Sequence, residues 1–130
     1  MHRSAFNLRP LEDDMYGFDN DLKLEGILGA EIQQIWLGRY DVQFLFSSGS
    51  RIAIQCLIEV FQEEELIATW DEEINWTSTH FQKLLNVTVA SYSVIDEETM
   101  EIRLHEELRI LIHESKQFES LQIYPEGIVI

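Results

Sequence analysis

The chain has 130 residues, 45% of them hydrophobic and 11% aromatic, a composition that fits one folded domain and excludes a disordered acidic tail. Its 24 acidic and 9 basic residues leave a net charge of −15, a field that repels phosphate backbones and anionic lipid and draws in cationic partners. The basic residues are spread singly, so nucleic acid is not an expected partner, and no run approaches the roughly 20 apolar residues of a membrane-spanning helix.

Residues 1–25 read as an irregular N-terminal segment of a single domain, 1–130. MHRSAFNLRPLEDD lacks the apolar core of a signal peptide, and with Cys56 as the one cysteine no internal disulfide can form, so a cytosolic location is the expectation. Asp19-Asn20-Asp21 with Glu25 resembles pieces of a calcium loop. Lys23 sits at a ligand-like position and the loop glycine is missing, which leaves a solvated turn.

Residues 26–58 form the first of two expected β units. GAEIQQIWL precedes a turn at Gly38-Arg39-Tyr40, and Val42, Phe44 and Phe46 then alternate as they would on one face of a strand. Ser47 to Ser50 supply turn chemistry, after which Ile52, Ile54 and Cys56 resume the alternation. A hairpin centred on Gly49, with loop Ser48-Gly49-Ser50, pairs Phe44 with Ile54. Cys56 then lies on the buried face, where a thiol is an inert small hydrophobe.

Residues 59–86 read as an acidic, aromatic crossover. Glu63-Glu64-Glu65 and Asp71-Glu72-Glu73 interleave with Trp70 and Trp76, and a short helix follows, with capping-box spacing at Thr79 and Gln82 and a stripe of Phe81, Leu84 and Leu85. TWDEEINW offers the candidate partner-binding residues Trp70, Asp71, Glu72, Glu73 and Trp76, since Trp anchors dominate interfaces and carboxylates steer basic partners. The competing role for Trp70 and Trp76 is to cap a sandwich core.

Residues 87–130 form the second unit. NVTVASYSVI precedes a turn at Asp96-Glu97-Glu98, and the apolar set Val42, Phe44, Phe46, Ile52 and Ile54 returns 58 positions later as Met100, Ile102, Leu104, Ile110 and Ile112, with Arg51 matched by Arg109. SLQIY, the Pro125–Gly127 turn and IVI close the chain as a last strand, a turn and an edge. The expected fold is mainly β with a minor helical part: two repeated antiparallel meanders, each too small to bury its own apolar face, packed as a sandwich or half-barrel with one short helix in the crossover. On this register His113 faces Glu101 and His105 faces Arg109, ordinary cross-strand pairs rather than a poised base. The acids at 96–98 and 106–107 fall at opposite ends of one strand and cannot merge, although either could join the crossover acids.

Motifs for chemistry are not found. No C-x-x-C or H-x-x-x-H pair suggests zinc, no G-x-S-x-G elbow surrounds the serines, and no glycine-rich phosphate loop occurs. Catalytic residues, metal and cofactor are therefore all expected to be none, and an enzyme is the less favoured class. YDVQFLFSSGSRIAI, preceded by GILGAEIQQIWLG and answered by MEIRLHEELRILIHESKQFESLQI, resembles a group of small bacterial proteins of unknown function, some of them similar to immunity proteins of toxin–immunity systems. The likeness spans about Gly26 to Ile123, and the second hairpin departs from it with Glu106-Glu107 in place of Ser48-Gly49. A net charge of −15 on a well-patterned β domain without active-site chemistry makes a non-enzymatic domain that binds and neutralises a basic protein, such as a toxin nuclease, the leading expectation. Two alternatives stay open: a small-ligand-binding protein or minor enzyme with a pocket between the half-sheets near Trp36, Tyr40 and Tyr92, or a structural subunit whose exposed sheet edge pairs with its own copy.

Overall fold

The structure is a computed structural model that describes residues 24–71, 80–113, 121–124 and 128–129. Ten strands occur among the described residues: β1 Ile32–Leu37, β2 Val42–Phe46, β3 Arg51–Ile54, β4 Leu57–Gln62, β5 Glu65–Trp70, β6 Val89–Asp96, β7 Thr99–Leu104, β8 Leu108–His113, β9 Leu121–Tyr124 and β10 Ile128–Val129. Two short 3-10 turns, Glu25–Ile27 and His80–Leu84, complete the elements. The protein is mainly β, and none of the helices among the described residues is long and apolar enough to cross a membrane.

All strand pairs are antiparallel, in two five-stranded sheets ordered β1-β2-β3-β9-β10 and β5-β4-β8-β7-β6. Alternation along the strands decides what is inside. Val42, Phe44 and Phe46 of β2, Ile52 and Ile54 of β3, Met100, Ile102 and Leu104 of β7, and Ile110 and Ile112 of β8 are all buried in one apolar cluster that joins both sheets. The sheets thus cover each other's apolar faces, and Cys56, at the bend where the chain crosses between them, is buried with the rest.

Both meanders are present, and their backbones match in detail. β1 is bulged between Ile32 and Gln34 and β6 between Val89 and Ser91, and the residues opposite, Phe46 and Leu104, are equivalent in the two units; β6 has a second bulge between Val94 and Asp96. Just before each of the two equivalent bulges the chain turns through a left-handed residue, Gly29 (φ 75°) in one unit and Asn86 (φ 67°) in the other, the two residue types that take this conformation most readily. Hydrogen bonds across the junction are reciprocal. Ile32 N–H donates to Val87 O (3.2 Å) and Val89 N–H to Ala30 O (2.9 Å), while Gly29 N–H donates to Val89 O (3.0 Å) and Asn86 N–H to Ile32 O (2.7 Å). Glu31 and Thr88 form the bridge at the centre of this pattern. Ser47 N–H donates to Glu31 O (2.8 Å) and His105 N–H to Thr88 O (3.0 Å), which extends the two-fold relation to the hairpin loops.

Three features bear on the expected layout, the first two as departures from it. First, the hairpin loop is Ser47-Ser48-Gly49, not Ser48-Gly49-Ser50. Phe46 N–H donates to Ser50 O (2.9 Å), and Phe44 pairs with Ile52 while Ile54 pairs with Val42. The cause is the role of Gly49: its φ of 94° makes it the left-handed last residue of the loop rather than the centre. Face parity survives because the offset is an even number of residues along the partner strand.

The same offset moves the second hairpin. His113 faces Thr99 instead of Glu101, Arg109 faces Arg103, and His105 lies in the loop. Second, much of the expected crossover is a hairpin: β4 and β5 turn at Glu63-Glu64, and β4 pairs with β8 of the second unit. Reciprocally, β9 pairs with β3 of the first unit. Each meander is therefore completed by the hairpin of the other.

Third, Trp70 is fully buried, with Ala68 beside it on the inward face of β5, and its indole N–H donates to Gly38 O at 3.1 Å. That bond ties the end of the second sheet to the β1–β2 turn of the first. Trp70→Phe removes the donor and leaves a void where the smaller ring no longer fills the core, and should lower stability by about 2–4 kcal/mol in urea unfolding without changing the m-value.

Candidate functional site

The sequence-selected segment does not form a surface around its first tryptophan. Trp70 belongs to the core and cannot serve as an exposed anchor, because strand alternation places it inward despite its acidic neighbours. Asp71 is half-buried at the strand end, while Glu72, Glu73 and Trp76 lie outside the described residues. The three aromatic residues expected near a pocket between the half-sheets occupy different environments. Trp36 and Tyr40 are exposed, with Arg39 over the Tyr40 ring, and Tyr92 is half-buried with its hydroxyl oxygen accepting from Leu24 N–H at 2.7 Å.

The structure instead brings two acidic turns together at the other end of the second sheet. β4 lies beside β8 with Gln62 opposite Leu108 and Phe61 opposite Arg109, so the β4–β5 turn meets the β7–β8 turn. Glu63 N–H donates to Glu107 O at 2.9 Å and locks the two turns edge to edge. Glu63, Glu64, Glu65, Glu106 and Glu107 are all exposed around this junction. Lys83 stands at its margin, donating to Gln62 Oε1 at 3.4 Å.

Three of these glutamates adopt left-handed backbone: Glu63 (φ 57°), Glu106 (φ 64°) and Glu107 (φ 64°). A residue with a Cβ pays about 1–2 kcal/mol in that region, and the equivalent of Glu107 in the first hairpin is Gly49. The second unit thus holds glutamate where the backbone favours glycine.

Beneath the rim lies a cavity of about 620 Å³ whose lining includes Glu63, Glu64, Ser91, Arg103, Glu106 and Arg109. Its cationic side is built on a buried acid. Glu101, 6% exposed, accepts from Arg103 Nε through Oε1 (3.1 Å) and from Arg109 Nη1 through Oε2 (3.1 Å). The Arg109 guanidinium also rests 4.9 Å from the centre of the Phe61 ring. Arg103 and Arg109 are direct cross-strand neighbours, a like-charge pairing that is unfavourable unless a countercharge lies between them. Glu101 is that countercharge.

His113 Nε2 lies 2.8 Å from Glu59 Oε1 on the outer face of the same sheet, a partly exposed cross-strand pair contributing under about 1 kcal/mol. Among the described residues no group of three or more His, Cys, Asp or Glu is placed to hold a metal ion, the rim glutamates included. Comparison with family models, with curated proteins and with solved structures found no match to this chain, so what the protein does must be argued from its own residues.

Sequence reasoning missed the Glu101–Arg103–Arg109 group. The signal was available: Glu101 and Arg103 are two apart and share a strand face, and Arg109 falls opposite Arg103 once the loop is set at residues 105–107. Glu101→Gln should cost about 2 kcal/mol, read in urea unfolding, because two guanidinium groups lose their shared carboxylate. Glu107→Gly should change stability in the opposite direction, raising it by about 1 kcal/mol on relief of the left-handed backbone, as a higher midpoint at unchanged m-value.

Proposed function

We propose that the protein is a non-enzymatic protein-binding domain that engages a basic protein partner through the acidic rim of the β4–β5 and β7–β8 turns. One observation carries this reading. The fold joins two separate acidic turns into one exposed surface, while the corresponding loop of the first unit is the uncharged Ser47-Ser48-Gly49. Both loops end on a left-handed residue, Gly49 in the first and Glu107 in the second, but the second adds a left-handed Glu106 and two negative charges. Acids that serve only solubility have no reason to occupy left-handed positions that favour glycine, and strain held in this way is a common mark of binding and switch regions.

A negative rim on a molecule of net charge −15 accelerates encounter with a cationic surface and penalises anionic competitors. The resemblance to immunity-type proteins points the same way: the partner would be a basic toxin domain, covered and thereby neutralised. No step of this requires a catalytic group.

The test is capture of a basic protein from the host extract, followed by association kinetics against salt. Replacing Glu63, Glu64, Glu106 and Glu107 together by Gln should slow association about tenfold at low ionic strength and flatten its salt dependence. Asp96→Asn with Glu97→Gln and Glu98→Gln, at the far end of the sheet, should leave the rate within about twofold. Equal slowing by both sets would reduce the effect to overall charge and defeat the rim as the binding surface.

A further inference from the structure

We propose that the cavity beneath the rim is a binding site for a small zwitterionic ligand, of the class of short peptides, whose carboxylate is held by Arg103 and Arg109 and whose ammonium is held by the rim glutamates. The proposal is separate from the protein-partner reading and can stand or fall without it.

The argument starts from an arrangement that has not neutralised itself. Arginine and glutamate side chains line one cavity, yet among the described residues neither guanidinium is ion-paired with Glu63, Glu64, Glu106 or Glu107. Both arginines are directed instead to Glu101, away from the rim. One buried carboxylate against two guanidinium groups leaves the arginine part of the lining with an excess of positive charge, while the glutamates make the other part negative. A cavity with its two signs held apart in this way is complementary to a molecule that carries both.

The donor geometry fits the carboxylate end. A guanidinium has five N–H donors in a planar fork. Arg103 uses Nε toward Glu101 and Arg109 uses Nη1, so each retains donors for a second acceptor. Their orientation is set in advance: Glu101 is buried, it takes one arginine on each oxygen, and the Phe61 ring supports the face of Arg109. Donors ordered before the ligand arrives lose less entropy on binding, and charge-assisted bonds from arginine to carboxylate are among the stronger polar contacts.

Size and access also agree. About 620 Å³ lies within the range of small-ligand sites, larger than a single amino acid needs and suited to a peptide of a few residues. The lining is predominantly polar, which favours a charged ligand over an apolar one. Ser91, opposite Arg103 on β6, borders the cavity and offers a neutral hydrogen-bonding group beside the arginine end.

Three peptides separate the contributions: triglycine, its N-acetylated form, which keeps only the carboxylate, and its C-amidated form, which keeps only the ammonium. Binding is followed through the Nε–H resonances of Arg103 and Arg109 in two-dimensional NMR of the full chain. Triglycine should shift both signals and bind about tenfold more tightly than either capped form. The acetylated peptide should shift the arginine signals more than the amidated one.

Arg103→Met, at the more exposed of the two arginines, should weaken triglycine about tenfold, and Glu106→Gln with Glu107→Gln should weaken triglycine while leaving the acetylated peptide within about twofold. Three peptides of equal affinity, or arginine signals that stay still at saturating triglycine, would overturn the proposal. Partner capture by the Arg103→Met protein, measured alongside, shows whether the rim surface works without the cavity.

Discussion

A three-stranded meander has two faces and can hide neither of them alone. The structure answers this constraint by exchange: the β4–β5 hairpin of the first unit extends the sheet of the second, and β9–β10 extends the sheet of the first. The edge-to-edge pairings β4 with β8 and β3 with β9 turn two half-sheets into two five-stranded layers around one apolar cluster. The charged surface depends on the same pairing. Glu63 and Glu64 belong to the first unit and Glu106 and Glu107 to the second, and they meet only because β4 lies beside β8. Had each unit kept its own hairpin, the acidic turns would lie on different sheets.

The two units agree where geometry matters and differ where charge does. Left-handed turns at Gly29 and Asn86, bulges at the start of β1 and β6, and loop bonds from Ser47 and His105 are shared. The apolar positions are shared as well, with Ile32 matched by Val89 and Phe44 by Ile102, all buried. Divergence is concentrated in the loops and on the outer face, where the second unit carries Glu106, Glu107 and the arginine pair over Glu101. A duplicated frame supplies rigidity twice, and only one copy carries the polar features that could recognise something.

What could be read from the sequence follows from how locally each feature is encoded. Strand faces were legible because side-chain direction has a period of two residues, and Val42, Phe44, Phe46 and their counterparts keep that period strictly. Loop placement is less legible, because a hairpin glycine fits either the centre or the last position, and the φ of 94° puts Gly49 at the last. The acids that follow Trp70 suggest a surface role and its alternation with Ala68 an interior one, and the alternation decides. The exchange of hairpins leaves no local trace at all, since it concerns which distant edge a strand joins. The meeting of the 63–65 and 106–107 acids was therefore open in the sequence and decided only by topology.

The exchange also imposes an order on synthesis. As the chain leaves the ribosome, β1, β2 and β3 emerge early, but the neighbour that closes the β3 edge, β9, is made after every strand of the second sheet. The second sheet can assemble while the first still shows a row of unsatisfied backbone donors and acceptors along Arg51–Ile54, the kind of edge that recruits stray strands. A nascent chain of this design is at its most vulnerable late, when most of it is already folded.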